Sequence, residues 1–187
     1  MTLEELKQYY KKASSGEKER IIKHLLIGEK PLVVYGGVSI NVRLPEYLQG
    51  VTLDWDIYSH NAGETAHRLE KLLDQEFGGD YFEVLPAKHP QTFRVVSKVT
   101  SKVVADITLP DKTIKYQFIN GIRYATLDEQ AYRIKRTLAD PEKKFRWNKD
   151  EETLQRIAVF REEQPAVEKD RPIHRMRKHA QPEVKGW

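Results

Sequence analysis

The chain has 187 residues, 39% apolar and 32% charged, a balance that suits a soluble single domain with a real hydrophobic core and small appendages. It has no cysteine, which excludes disulfides, thiolate metal sites and a cysteine nucleophile and fits a reducing cytosol. The net charge is a modest +4, no apolar run approaches the roughly 18 residues of a membrane span, and the acidic start Met1-Thr2-Leu3-Glu4-Glu5-Leu6 does not read as a signal peptide, so a cytoplasmic location and no membrane partner are expected.

Residues 3–13 and 17–26 read as helices, with Ser14-Ser15-Gly16 as the break. Ile21, Ile22, Leu25 and Leu26 give the second a buried stripe. Residues 32–35 form a short apolar strand that runs straight into Gly36-Gly37. Residues 38–48 begin as a helix and trail into a loop over 43–50, and residues 51–58 read as a strand. A helix over 63–76 buries Ala66, Leu69, Leu72 and Leu73 and stops at Gly78-Gly79. Strands follow at 81–85, 92–99 and 102–109, then a hairpin over 113–119 and 122–124 around Asn120-Gly121, a dipeptide suited to tight turns. Residues 126–138 and 149–162 read as helices. The segment order predicts an α+β (α/β) domain with a mixed sheet, helices packed on one side and C-terminal helices. It divides into N-terminal helices (1–28), a core (29–125), C-terminal helices (126–164) and a flexible basic tail (165–187). From Lys169 onward, Lys169, Arg171, Arg175, Arg177, Lys178 and Lys185 face only Asp170 and Glu183, so the whole excess charge lies there and residues 1–168 sum to zero. Such a tail can neutralise the phosphates of a nucleic acid, or simply be a solvated terminus.

Alternation along residues 51–58 places Val51, Leu53, Trp55 and Ile57 on one strand face and Thr52, Asp54, Asp56 and Tyr58 on the other. Two carboxylates this close repel, and a divalent cation would remove the repulsion. Residues 103–109 repeat the design: Asp106 is the only charge in its strand. If the two strands are neighbours, three carboxylates converge on one open face, a donor set suited to Mg²⁺. An Asp-x-Asp on a half-exposed strand is by itself more often solvent-facing than catalytic. The glycine pair adds weight, because Gly36 and Gly37 permit close backbone approach, the following helix start favours phosphate, and Ser39 adds a hydroxyl. No Gly-Lys-Ser/Thr is present, so this is not a P-loop.

Together, Gly36-Gly37-Val38-Ser39, Asp54-Trp55-Asp56 and Asp106 resemble the nucleotidyltransferase superfamily of the DNA polymerase beta type. The phrasing around Gly36 and Asp54 is most similar to viral poly(A) polymerase catalytic subunits and small viral or phage nucleotidyltransferases. The resemblance covers residues 30–110 clearly and 111–160 weakly, and the sixteen residues between Gly37 and Asp54 are somewhat more than compact members have. It implies that Asp54, Asp56 and Asp106 ligate two Mg²⁺ ions (Mn²⁺ being the substitute) and that Gly36, Gly37 and Ser39 hold the triphosphate. It also implies transfer of a nucleoside monophosphate from an NTP, such as ATP, to an RNA 3′ end, with RNA favoured over DNA. A bacterial or virus-infected cell is the matching setting.

Among downstream cations, Lys135 and then Lys149 are the expected phosphate ligands, with Arg133, Arg136 and Arg146 nearby; for any one of them a solvated helix face is the plainer reading. Tyr35, Tyr58 and Phe93 are candidates for stacking on a base, although packing is the commoner use. The histidines show no zinc-ligand spacing. Two other functions fit the same residues: toxin-like transfer to a protein or small-molecule hydroxyl, and a catalytically silent RNA-binding module. The three carboxylates disfavour the second. The lack of a large RNA-binding domain implies a partner subunit for processive tailing.

Overall fold

The computed structural model describes residues 2, 4–5, 16–28, 31–166 and 171–178. The helix expected over 3–13 lies, apart from Glu4 and Glu5, outside them. In chain order the elements are α1 (Gly16–Gly28), β1 (Val33–Tyr35), α2 (Gly36–Asn41), a 3₁₀ turn (Glu46–Leu48), β2 (Trp55–Tyr58), α3 (Ala62–Phe77), β3 (Phe82–Pro86), β4 (Thr92–Ser97), β5 (Val103–Thr108), β6 (Ile114–Ile119), β7 (Ile122–Ala125), α4 (Leu127–Leu138), a second 3₁₀ turn (Pro141–Arg146), α5 (Trp147–Glu163) and β8 (His174–Met176). The result is a mixed α+β fold.

The described residues form one sheet of eight strands in the order β3-β4-β5-β2-β1-β7-β6-β8. β2 lies between β1, to which it is antiparallel, and β5, to which it is parallel, and β1 runs parallel to β7. One sheet face is apolar: Val34, Ile57, Val95, Ala105 and Ile107 pack against Ile21, Ile22, Leu25 and Leu26 of α1 and Ala66, Leu69, Leu73 and Phe77 of α3. Both helices have their apolar residues at helical spacing, so burying that stripe is what fixes them to this face. A second core of Ile40, Leu44, Leu127, Ile134, Ile157 and Phe160 joins α2, α4 and α5. α4 starts at Thr126, whose side chain accepts from the Glu129 amide and so caps the first turn. In the β6–β7 hairpin Asn120 and Gly121 both have positive φ, 50° and 79°, as a two-residue turn of this type needs.

Two expectations change. Only residues 55–58 of the expected strand over 51–58 are paired, and Val51 and Leu53 are 83% and 84% exposed. β1 is three residues long and its pairing ends at Tyr35 opposite Asp56, so the chain before Trp55 has no strand to join on that side, and its pairing with β5 begins only at Trp55 opposite Ala105. The stretch read as a tail contributes β8, an edge strand on β6 in which Met176 is buried against Ile114 and Ala125. Of the rest of that stretch, residues 167–170 and 179–187 lie outside the described residues.

Candidate active site

On the face away from α1 and α3, strand register assembles a polar row. Tyr35 of β1 stands opposite Asp56 of β2, Asp56 opposite Asp106 of β5, and Asp106 opposite Arg94 of β4. Asp54 enters from the unpaired segment two residues earlier, on the same side as Asp56. One carboxylate oxygen from each of Asp54, Asp56 and Asp106 lies within 4.8 Å of the other two.

Gly36 makes this approach possible. Its φ is +70°, and a Cβ there would sit 1.9 Å from Asp56 Oδ2, so only glycine allows both the backbone turn and the carboxylate's seat. Its amide donates to Gln130 Oε1 at 3.2 Å, which ties the turn to α4. Gly37 lies against Thr52, whose hydroxyl would be 3.0 Å from a Cβ at that position. The Thr52 hydroxyl also donates to the Asp54 carbonyl at 3.2 Å. The amides of Gly37 and Val38 belong to the first turn of α2 and have no intrahelical acceptor. Ser39, expected on the phosphates, is turned inward instead. It is fully buried, and its hydroxyl donates to the Ala125 carbonyl at 3.0 Å, because the fourth position of a helix starting at Gly36 faces β7. The expected loop over 43–50 is anchored rather than loose. Arg43 Nη1 donates to the Ser39 carbonyl at 2.6 Å and Nη2 to Gln117 Oε1 at 3.2 Å, while the Asn41 side chain and Gly50 backbone exchange bonds of 2.7 and 3.0 Å.

The carboxylates are electrostatically frustrated. Burial pushes Asp56 up to about 6; Asp54 and Asp106 add to the rise, against the pull of Arg133 and Arg146. Burial also raises Asp54, with Asp106 adding to it and Lys149 and Arg94 opposing. The Arg94 guanidinium grips Asp106 with both arms, Nε to Oδ1 and Nη2 to Oδ2, each at 2.8 Å. Cations from four elements thus surround the triad: Arg94 on β4, Arg133 on α4, Arg146 in the second 3₁₀ turn and Lys149 on α5.

Lys149 is near enough to Asp54 to oppose the rise of its carboxyl. Lys135 is exposed, two positions beyond Arg133 and so roughly 200° around α4 from it. The buried Gln130 and Ile134 mark the inward face of that helix, and their spacing selects Arg133. Arg94 was missed because its role depends on β4 pairing with β5. Tyr35 and Tyr58 stack on each other at 3.9 Å beneath Arg133, and Phe93 packs into the core beside Gly63, so all three are packing residues here.

A mixed sheet with α1 and α3 on one face, a glycine turn at the end of β1 and three carboxylates carried by β5, β2 and the segment entering β2 are the features of the nucleotidyltransferase fold. Residues 20–143 match the family of poly(A) polymerase catalytic subunits, and the chain belongs to that family. Its fold is similar to that of the Megavirus polyadenylate synthase, at a TM-score of 0.65 and 25% identity, over 87% of this chain and 36% of that one. The chain therefore spans about a third of the length of the Megavirus protein. JHP933 from Helicobacter pylori matches at a TM-score of 0.40 and 12% identity over 70% of this chain and 60% of that one. No curated protein sequence matches the chain. Among the described residues no helix is long and apolar enough to cross a membrane.

Proposed function

We propose that the protein transfers a nucleoside monophosphate from an NTP, with ATP as the donor its family suggests, to the 3′ hydroxyl of an RNA. The observation that carries this reading is the convergence of Asp54, Asp56 and Asp106 within 4.8 Å on an open sheet face. The donor set fits a hard divalent cation: it is all oxygen, it is partly buried, and burial, with neighbouring carboxylates adding to it, raises Asp54 and Asp56, a cost that a cation would relieve. Asp54, Asp56 and Asp106 would hold Mg²⁺, or Mn²⁺ in its place, as one ion or a pair, supplying charge that acidifies the acceptor hydroxyl and stabilises the leaving pyrophosphate.

The chain's own residues do the rest by position. Gly36 and Gly37 let phosphate oxygens approach the backbone, where the Gly37 and Val38 amides can donate. Lys149, Arg133 and Arg146 offer charge-assisted hydrogen bonds to the β- and γ-phosphates. Arg94 fixes the plane of the Asp106 carboxylate while leaving part of its lone-pair capacity open towards the acceptor hydroxyl. Such a site works by orientation and preorganised charge.

The test is incubation with each labelled NTP, Mg²⁺ and RNA bearing a free or a blocked 3′ end. Label should pass to the free-ended RNA alone and be lost in Asp54→Ala, a change on the polar side that leaves the fold intact. Label on protein would favour the toxin-like alternative. No transfer to any acceptor would favour a silent binding module.

A further inference from the structure

The far end of the same sheet face carries a second constellation. Tyr116 and Phe118 of β6 point to one side; their partners across the ladders are His174 of β8, opposite Tyr116, and Arg123 of β7, opposite Phe118. The rings touch. Tyr116 and His174 stack with centroids 5.5 Å apart, Phe118 meets His174 edge-on at 5.2 Å and Tyr116 at 5.7 Å, and the Arg123 guanidinium lies 5.0 Å from the Phe118 ring centre. The cluster is not a core. Phe118 is 41% exposed and His174 is exposed, although the buried Ile114, Ala125 and Met176 lie beside them on the same face.

The charge around this cluster is one-sided. Residues 114–125 and 171–178 contain Lys115, Arg123, Arg171, Arg175, Arg177 and Lys178 and no Asp or Glu. The net charge of the protein is +4, so everything outside these two segments sums to −2. Arg175 stands opposite Lys115 on the reverse of the ladder, and Arg177 and Lys178 follow the edge strand, all exposed. Ring faces for bases beside the exposed cations Arg177 and Lys178 for phosphates are what a single strand requires, and a duplex hides its base faces.

The placement relative to the carboxylates is also specific. Tyr35, next to Asp56, lies beside Ala125 of β7, Ala125 is opposite Tyr116, and Tyr116 is opposite His174. One row thus runs across the sheet from Asp106 to His174, with Arg133 of α4 standing over Tyr35 between its ends. Three strand spacings separate Asp56 from Tyr116, roughly 14 Å.

We propose that the Tyr116–Phe118–His174 cluster, with Arg123 against Phe118 and the basic end of β8, is a binding platform for single-stranded RNA, with bases stacked on Phe118 and His174 and phosphates along Arg177 and Lys178. Its service as an acceptor track rests on the nucleotidyl-transfer reading; its affinity for single strands does not.

The experiment uses the full chain with metal chelated and no NTP present. A fluorescein-labelled single-stranded RNA and the same sequence as a duplex are titrated by anisotropy at two salt concentrations, against wild type, Phe118→Leu, His174→Ala and the pair Arg177→Gln/Lys178→Gln. A parallel RNA carrying 2-aminopurine reports stacking by quenching. Phe118→Leu and His174→Ala should each weaken single-strand binding roughly tenfold or more and reduce quenching. The charge pair should flatten the salt dependence, by about two in slope if both cations touch phosphate. Thermal melts check folding, and the charge pair, lying beyond the strand, decides the matter should an aromatic variant melt early. Unchanged affinity and salt slope would overturn the proposal, as would equal binding of duplex. So would a change in oligomeric state of Phe118→Leu with RNA affinity intact, which would make the face a protein interface. Binding without any transfer would overturn the transfer reading alone.

Discussion

Replacing Asp56 with asparagine should stabilise the metal-free protein while destroying its activity. The folded carboxyl is raised from its ordinary 3.8 to about 6, chiefly by burial. It therefore keeps its proton over a window in which the unfolded chain has lost it. Below about 3.8 the group costs the fold nothing; stability is lost as pH rises from there to about 6, and above that the deficit is complete. A difference of about two units at 1.36 kcal/mol each gives a deficit of about 3 kcal/mol. Asparagine has the shape of the protonated acid and removes that deficit. In a domain of this size the gain corresponds to a rise in Tm of up to roughly 6–12 °C at about pH 8 in EDTA, shrinking towards zero near pH 4. The assay is a thermal melt of both proteins across that pH range, with and without Mg²⁺. Added Mg²⁺ should raise the Tm of the wild type and leave Asp56→Asn nearly unmoved, because only a ligand that binds the native state stabilises it. An Asp56→Asn protein that melts at or below wild type at pH 8, or differs from it equally at both ends of the range, would refute the argument from buried charge.

Gly36→Ala should do the opposite, losing about 1–3 kcal/mol from the left-handed backbone alone and displacing Asp56, so denaturant midpoint and Mn²⁺ affinity should fall together. Lys149→Ala should weaken NTP binding about tenfold or more, whereas Lys135→Ala should leave it unchanged; equilibrium binding of a fluorescent NTP analogue separates them, and equal effects would mean that α4 presents a different face to the cleft. Met176→Ala should cost about 2 kcal/mol, the low end for a buried methionine because an edge strand can detach, and urea unfolding would show no change if residues 174–176 were a passive tail.

The elements were legible where periodicity was strong. The Leu69 and Leu73 stripe of α3 and the Ile21 to Leu26 stripe of α1 led to the observed helices within a few residues, and Asn120-Gly121 marked the hairpin turn. The alternation at Val51 and Leu53 misled, because an apolar residue at the right parity has no face to cover where the ladder ends. Strand adjacency was not legible: β2 and β5 are separated by α3, β3 and β4, and only their parallel pairing brings Asp106 to Asp56. Arg94 and the pairing of β8 with β6 are invisible for the same reason. Ser39 shows the limit of motif reading. Its residue type suits a phosphate ligand, but the start of α2 decides which way it points.

The three carboxylates are not held alike, and the difference follows from where each sits on the ladder. Asp56 is in register on both sides, between Tyr35 and Asp106, with its oxygen against Gly36. Asp106 is central too, and the Arg94 fork fixes its plane. Both belong to strands whose other face is core, so neither can shift without moving Ile57 or Ile107. Asp54 precedes the first paired residue, half-buried, on a segment anchored by Asn41 at Gly50 and by Thr52 at its own carbonyl. The chain between those anchors exposes Val51 and Leu53 and has little packing to resist movement. On the proposed function, Asp56 and Asp106 would be the rigid oxygen donors to a divalent cation and Asp54 the adjustable one. In this architecture the irregular entry to β2 is the less packed part of the site, and the strand proper is the part that keeps the geometry.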